Sequence, residues 1–228
     1  VKPENFEEIV KKIVFHYDEP FGDSSAIPTG IISSLASQKV KMVLTGDGGD
    51  ELLSGYNSYL GLKIANIINN IPQLVKSSYL FANGLINVKG SKRYKLNKIA
   101  DIIKTSNLSF NDQIARKSVY TSFDTIKNLS NSIDKNVVSI EDYLSDFMSK
   151  TNYKDNFYKM MYLNYKHSLP NDYLVKVDRM SMAHSLETRL PFLDYRLVEF
   201  MAGVDKNVKL QGFEKKSVLR KTIGKTLP

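Results

Sequence analysis

The chain has 228 residues, 32 Lys and Arg against 24 Asp and Glu for a net charge of +8, and no cysteine, which excludes disulfides, thiolate zinc sites and a cysteine nucleophile within it. No window reaches the apolar length that crosses a bilayer and the N-terminus lacks a signal-peptide pattern, so the expected compartment is the cytoplasm and no membrane partner is expected. The positive residues are 26 Lys and 6 Arg scattered among Asn and Ile, a poor match to the Arg-rich surfaces that read bases and phosphates, so no specific nucleic acid is expected either.

Pro3-Glu4-Asn5 opens a helical pattern with Phe6, Ile9, Val10, Ile13, Val14 and Tyr17 on one face, and Pro20 and Gly22 stop it. A second helix is expected from about Ala26 to Ser37, with Asp23, Ser24 or Ser25 as cap and Pro28 in its first turn. The apolar run Val40 to Leu44 then reads as a buried strand of a parallel sheet, although few other strand candidates follow.

That run empties into Thr45-Gly46-Asp47-Gly48-Gly49-Asp50-Glu51. Ligands of open α/β sheets sit beyond the carboxyl ends of strands. Glycines there let backbone N–H groups close on an anion, and carboxylates there hold a metal or take a proton. The combination suits a nucleoside triphosphate with magnesium. A glycine-rich turn with solvated acids is the competing reading. The spacing does not fit an EF-hand loop.

From about Asn57 to Ser149 the chain is rich in Asn, Lys and Ile, with helical periodicity and no sharp motif. Ile64, Ile67, Ile68 and Ile71 mark one amphipathic helix; Ile140, Tyr143, Leu144 and Phe147 mark another. Aromatic residues here are expected to pack helices in a lobe beside the sheet. No internal repeat or long linker is evident.

Between Leu169 and Asp194 charges alternate tightly with large apolar residues: Lys176, Asp178, Arg179, Glu187 and Arg189 lie among Leu174, Val177, Met180, Met182 and Leu186. Some are expected to pair in a partly buried network, against the alternative of a helix with surface salt bridges. Asp194 caps a helix carrying Leu197, Val198 and Met201. On a helix starting near Glu214, Lys216 and Arg220 would share a face and repel, a cost that an anionic ligand between them would reverse. His16, His167 and His184 show no metal-ligand spacing, and no nucleophile elbow surrounds Ser24-Ser25.

Three stretches together resemble the synthetase domain of glutamine-dependent asparagine synthetases: Asp18-Glu19-Pro20-Phe21-Gly22-Asp23-Ser24-Ser25-Ala26-Ile27-Pro28, then Thr45 to Tyr56, then Val177 to Asp194. The closing Lys216-Ser217-Val218-Leu219-Arg220 fits too. The resemblance implies an α/β, predominantly helical fold: part of a parallel sheet of the pyrophosphatase-loop type, with a helical lobe. It divides the chain into a nucleotide-binding part at 1–60, a helical lobe at 61–150 and a helical part at 151–228 that completes the site. It also implies a reaction. The side-chain carboxylate of aspartate attacks the α-phosphorus of ATP to give β-aspartyl-AMP and pyrophosphate, and ammonia released from glutamine by an N-terminal glutaminase domain displaces AMP.

By the same resemblance Thr45, Gly46, Gly48 and Gly49 contact ATP, and Asp47 organises the adenylate and accepts a proton from ammonia. Asp50 matches a position tied to Mg2+ and pyrophosphate. Lys216 neutralises charge on the phosphates, while Arg179, Glu187 and Arg189 position the intermediate. A homodimer is compatible with it. The family's Ser-Gly-Gly-x-Asp-Ser loop and its cysteine-bearing glutaminase domain are absent, so the chain reads as a piece of the enzyme, beginning after that loop and inactive alone. Amide formation on another carboxylate by a related adenylating ligase, and a non-catalytic interaction module, are the alternatives.

Overall fold

The computed structural model describes residues 6–19, 21–85, 90–106, 108–118 and 138–226, so Pro3-Glu4-Asn5 and Pro20 lie outside the described residues. The chain divides into two compact units, Val1–Tyr56 with Met160–Pro228, and Asn57–Lys159.

The first unit opens with α1 (Phe6–Tyr17) and α2 (Ala26–Ser37), at the bounds their periodicity predicts. Only part of the apolar face of α1 turns inward. Tyr17 is buried with Ala26 and Met180, and Ile13, Phe21 and Val175 pack on them, whereas Phe6, Val10 and Val14 are exposed. β1 (Met42–Leu44) follows, then α3 (Gly49–Leu53). The expected burial of this strand is not met: Val40, Met42 and Leu44 are exposed and only Val43 is half-buried. The reason is topological, since β1 belongs to a two-stranded sheet among the described residues.

The second unit holds α4 (Asn57–Asn69), α5 (Gln73–Leu85), α6 (Ser91–Ser106), α7 (Phe110–Ser118), α8 (Ile140–Ser149) and the first half of α9 (Asn156–Leu163). On α4 the buried stripe is Tyr59, Leu62, Ala65 and Ile68; Ile67 and Ile71 face solvent, which corrects the expected face. Tyr59 is fully buried and its ring centroid lies 5.1 Å from that of Phe157. α8 buries Leu144 and Met148, and Ser139 caps it by accepting from the Asp142 N–H at 3.1 Å.

Back in the first unit, a π-helical segment (Asn164–Tyr173) containing Pro170 runs into α10 (Leu174–Met182). β2 (Glu187–Arg189), a 3-10 turn (Pro191–Leu193), α11 (Tyr195–Ala202), α12 (Lys206–Lys209) and α13 (Ser217–Thr222) complete it. β1 and β2 are parallel, with Met42 opposite Glu187, Val43 opposite Thr188 and Leu44 opposite Arg189. The architecture is therefore mostly helical with a small parallel sheet. No helix among the described residues is long and apolar enough to cross a membrane.

Candidate functional site

The site begins where both strands end. The Thr45 N–H donates to the Arg189 carbonyl at 2.9 Å, so the parallel ladder continues one residue past β1 and sets the glycine turn beside the carboxyl end of β2. Gly48 then adopts φ 84°, a left-handed conformation that side-chain-bearing residues rarely take, and a Cβ there would run into the Leu193 side chain. A Cβ on Gly49 would lie 3.3 Å from the Phe192 ring. Two glycines thus let the 3-10 turn after β2 close down on the loop after β1.

Asp47 is half-buried on this turn and makes no hydrogen bond or ion pair among the described residues. Asp50, in the first turn of α3, meets Lys216: Oδ1 lies 3.0 Å from Nζ. Packing brings the lysine there. Val218 and Leu219 of α13 pack against a core of Leu52, Leu53 and Met201, and the buried Ser217 hydroxyl donates to the Val208 carbonyl at 2.6 Å. Gly55 completes the arrangement, because a Cβ on it would overlap both the Asp50 carboxylate and the Lys216 side chain.

Lys216 itself corrects the sequence reading. It is the N-cap of α13 with φ 53° and ψ 34°, outside the helix that carries Arg220. The left-handed backbone turns its side chain onto Asp50, while Arg220 Nε donates to the Lys215 carbonyl at 3.2 Å. The expected like-charge pair on one helical face does not form.

Behind the turn lies Glu51, 2% exposed, its carboxylate accepting from the Tyr56 hydroxyl at 2.5 Å. Burial pushes this carboxyl above the usual range; the Tyr56 bond opposes the rise, and the nearby Asp50 and Asp47 charges add to it. The Tyr56 ring lies 6.0 Å from that of Tyr173, and burial pushes the Tyr173 phenol up. Tyr165 and Tyr173, both on the π-helical segment, have phenols pushed up chiefly by burial, and the Glu51 charge adds to the rise in each. Two hydroxyls in this region, Thr45 Oγ1 and Ser54 Oγ, are buried with no hydrogen-bond partner. Buried polar atoms are seldom left unpaired, so both hydroxyls are open to a further hydrogen bond.

The charged block after Leu169 separates into two parts. Lys176 makes the enclosed pair, its Nζ 2.6 Å from Asp23 Oδ2 and 2.7 Å from Ser25 Oγ, and it lies 5.1 Å from the Tyr173 ring centroid. Burial pushes the Asp23 carboxyl up, but the bonds from Lys176 and Ser25 outweigh it and hold the group below its ordinary value. Glu187 and Arg189 instead pair with each other on an exposed face of β2, two residues apart, as a strand requires. Arg179 is exposed and donates to the His16 carbonyl at 3.3 Å. The expectation of a buried network is met by Lys176 and not by these three.

The sequence singles out neither Glu51 nor Tyr56 for a role of its own and does not show β2. Glu51 and Tyr56 stand in the quoted motif; only their burial singles them out. For β2 the local signal is Ser185 at φ 52°, a left-handed residue that ends α10, with the Leu186 N–H returning to the Ser181 carbonyl at 3.1 Å.

The Asparagine synthase family model matches residues 1–228. Asparagine synthetase [glutamine-hydrolyzing] 1 of Bacillus subtilis (strain 168) is 27% identical over 228 residues, covering 100% of this chain and 35% of the relative. A putative asparagine synthetase [glutamine-hydrolyzing] of Mycobacterium tuberculosis (strain ATCC 25618 / H37Rv) is 23% identical over 235 residues, covering 100% of this chain and 34% of the relative. Putative asparagine synthetase [glutamine-hydrolyzing] 2 of Methanocaldococcus jannaschii is 41% identical over 75 residues, 33% of this chain and 15% of the relative. No solved structure gives a significant match. The chain spans about a third of the length of the curated relatives that match it throughout. With a family match along its whole length and the glycine turn, its carboxylates and the C-terminal lysine gathered in one unit, the chain belongs to the asparagine synthase family.

Proposed function

We propose that this chain forms the adenylating site of an asparagine-making ligase, on a nucleotide fold of the pyrophosphatase-loop type. A side-chain carboxylate oxygen of aspartate attacks the α-phosphorus of ATP, the bond to the α,β-bridging oxygen breaks, and pyrophosphate leaves. Ammonia, supplied from glutamine by another part of the longer protein, adds to the acyl carbon of β-aspartyl-AMP and expels AMP. Such chemistry is driven by positioning and charge neutralisation.

In this reading the Thr45 hydroxyl, unpaired and buried, and the backbone at Gly46, Gly48 and Gly49 receive the nucleotide. Asp47, which has no hydrogen bond to give up, takes the proton from the attacking nitrogen. Lys216 moves its charge from Asp50 to the departing pyrophosphate. Arg189, at the carboxyl end of β2 and in register with Leu44, and Glu187, which pairs with it, position the intermediate. Mg2+, when bound, supplies charge neutralisation on the phosphates and would be held by Asp50. No group of three or more His, Asp or Glu among the described residues is placed to hold a metal. That fits an ion that usually takes one or two carboxylates together with phosphate oxygens and water.

The observation that carries the reading is the Lys216–Asp50 pair, which joins the glycine turn to the far end of the chain. The test is ATP–pyrophosphate exchange by the full-length protein. Exchange is expected to depend on aspartate and to fall about a hundredfold or more in Lys216→Met, the scale of removing one group that stabilises a transition-state charge. Asp47→Asn is expected to keep exchange while losing asparagine formation with either glutamine or ammonium. Exchange supported better by a different carboxylate, or unaffected by Lys216→Met, would defeat the proposal.

A further inference from the structure

On the role proposed above for Lys216, we infer that Ser217 is a positioning residue for adenylation, its hydroxyl holding the neighbouring lysine in the backbone conformation that carries the ammonium to Asp50. A left-handed residue with a side chain persists only where its surroundings over-determine it. Lys216 does not supply that hold itself. It is the N-cap of α13, yet its side chain makes no cap bond, and the ion pair it forms instead is partly solvated and weak.

Ser217 supplies it. The residue is buried, and its hydroxyl both donates and accepts against one short stretch of backbone. The proton is shared between the Val208 carbonyl at 2.6 Å and the Lys209 carbonyl at 2.9 Å, and the oxygen accepts from the Gln211 N–H at 3.3 Å. The two carbonyls end α12, where helical carbonyls have no partner of their own. That stretch is itself fixed, because Lys209 and Leu210 are buried. Between α12 and α13 the chain reverses at an antiparallel bridge of Gln211 with Glu214, whose N–H donates to the Gln211 carbonyl at 2.9 Å. The residue after the lysine is thus tied to the end of α12 at three points.

The apolar contacts of α13 cannot do this. Val218 and Leu219 pack against Leu52, Leu53 and Met201 and bring α13 up to α3, which carries Asp50. Burial of that kind is non-directional and sets how close the helices lie. A hydroxyl bonded within a narrow range of distance and angle sets how the first turn is rotated, and with it where the Lys216 side chain leaves the backbone. Ser217→Ala keeps the apolar contacts and removes only the second.

The test is a double-mutant cycle on aspartate-dependent ATP–pyrophosphate exchange by the full-length protein. Ser217→Ala is expected to lower the maximal exchange rate about ten- to a hundredfold, the scale of a small misplacement of a catalytic group. Half-saturating ATP and aspartate are expected to stay within about twofold of wild type, with circular dichroism unchanged, because binding and fold are left intact. In a Lys216→Met background the same substitution is expected to lower exchange by no more than about twofold, since no ammonium is left to place. Ser217→Cys, which keeps a weaker donor in a similar volume, is expected to fall between, and it stands in for the alanine if that variant does not fold. An unchanged rate in Ser217→Ala, a loss confined to the half-saturating concentrations, or the same loss with and without Lys216 would overturn the inference while the role of Lys216 stands. The last of these marks a hydroxyl that merely holds the fold. Exchange indifferent to Lys216→Met would instead defeat the role of Lys216 itself.

Discussion

Lys216 reaches Asp50 by way of an unusual backbone: Nζ stands 3.0 Å from Oδ1, and the lysine is held at φ 53° and ψ 34°. A left-handed conformation costs a side-chain-bearing residue about 1–2 kcal/mol. A half-exposed ion pair returns about 0–1 kcal/mol, so the pair does not offset the strain by itself. Stability is being given up to hold a cation beside the glycine turn.

Lys216→Gly should therefore leave the free energy of unfolding unchanged or raise it by up to ~1 kcal/mol while abolishing adenylation. Gly55→Ala should do the opposite. Its methyl group meets the Asp50 carboxylate and the Lys216 side chain, so the protein is expected to lose about 1–3 kcal/mol and the pair to separate. Denaturant titration of both variants checks this. A loss beyond ~1 kcal/mol in Lys216→Gly would contradict the strain argument.

Glu51 and Tyr56 form a buried acceptor and donor. Tyr56→Phe leaves the carboxylate without this partner and should cost about 1–3 kcal/mol. Because burial raises the folded-state pKa of Glu51, its ionised form is disfavoured in the folded protein, so stability from this group rises as pH falls through that value. Glu51→Gln should flatten that dependence near and above the ordinary carboxylate range. Unfolding curves from pH 4 to 8 would show it; an unaltered slope would not fit.

The Asp23–Lys176 pair has the reverse sign. Asp23 titrates below its ordinary value, so its contribution is present above the unfolded pKa and is lost as pH falls through the folded one. Lys176→Met should cost about 2 kcal/mol near neutrality, the scale of a hydrogen bond to a charged group, and should remove the acid-limb loss. Equal acid sensitivity in wild type and variant would rule this out.

Lys209 is fully buried, its Nζ 3.7 Å from Met161 Sδ, and burial lowers its pKa from 10.5 to about 8 against the opposing pull of Asp205. Between pH 8 and 10.5 the unfolded chain keeps a proton that the folded one releases, so stability should rise with pH across that window. Lys209→Met should be more stable than wild type by about 2–3 kcal/mol at pH 7 and should lose that rise. Thermal midpoints at pH 7 and 9.5 test both parts together, and a less stable variant would refute it.

Two kinds of information were unequally legible in the residues. α1 and α2 were readable because apolar residues recur at the helical period and because Pro and Gly punctuate the ends, both local signals. The inward face was less so: on α4 the isoleucines drew the eye, yet Tyr59, Leu62, Ala65 and Ile68 are the residues covered. Burial depends on which neighbour arrives, and periodicity does not name the neighbour. β2 spans three residues, too few for an alternating pattern, and became a strand because β1 offers it a ladder.

By itself the sequence determined the helical bounds near the N-terminus, the glycine turn with its carboxylates, and, through motifs in order, the family. These rest on chemistry and spacing within a few residues of each other. Tertiary structure alone decided that β1 stays exposed, that Glu51 is enclosed while Glu187 and Arg189 are not, and that Lys216 leaves Arg220 for Asp50. Each of those outcomes turns on side chains meeting across long stretches of chain, where excluded volume at Gly48 and Gly55 and the packing of Val218 and Leu219 choose the partner.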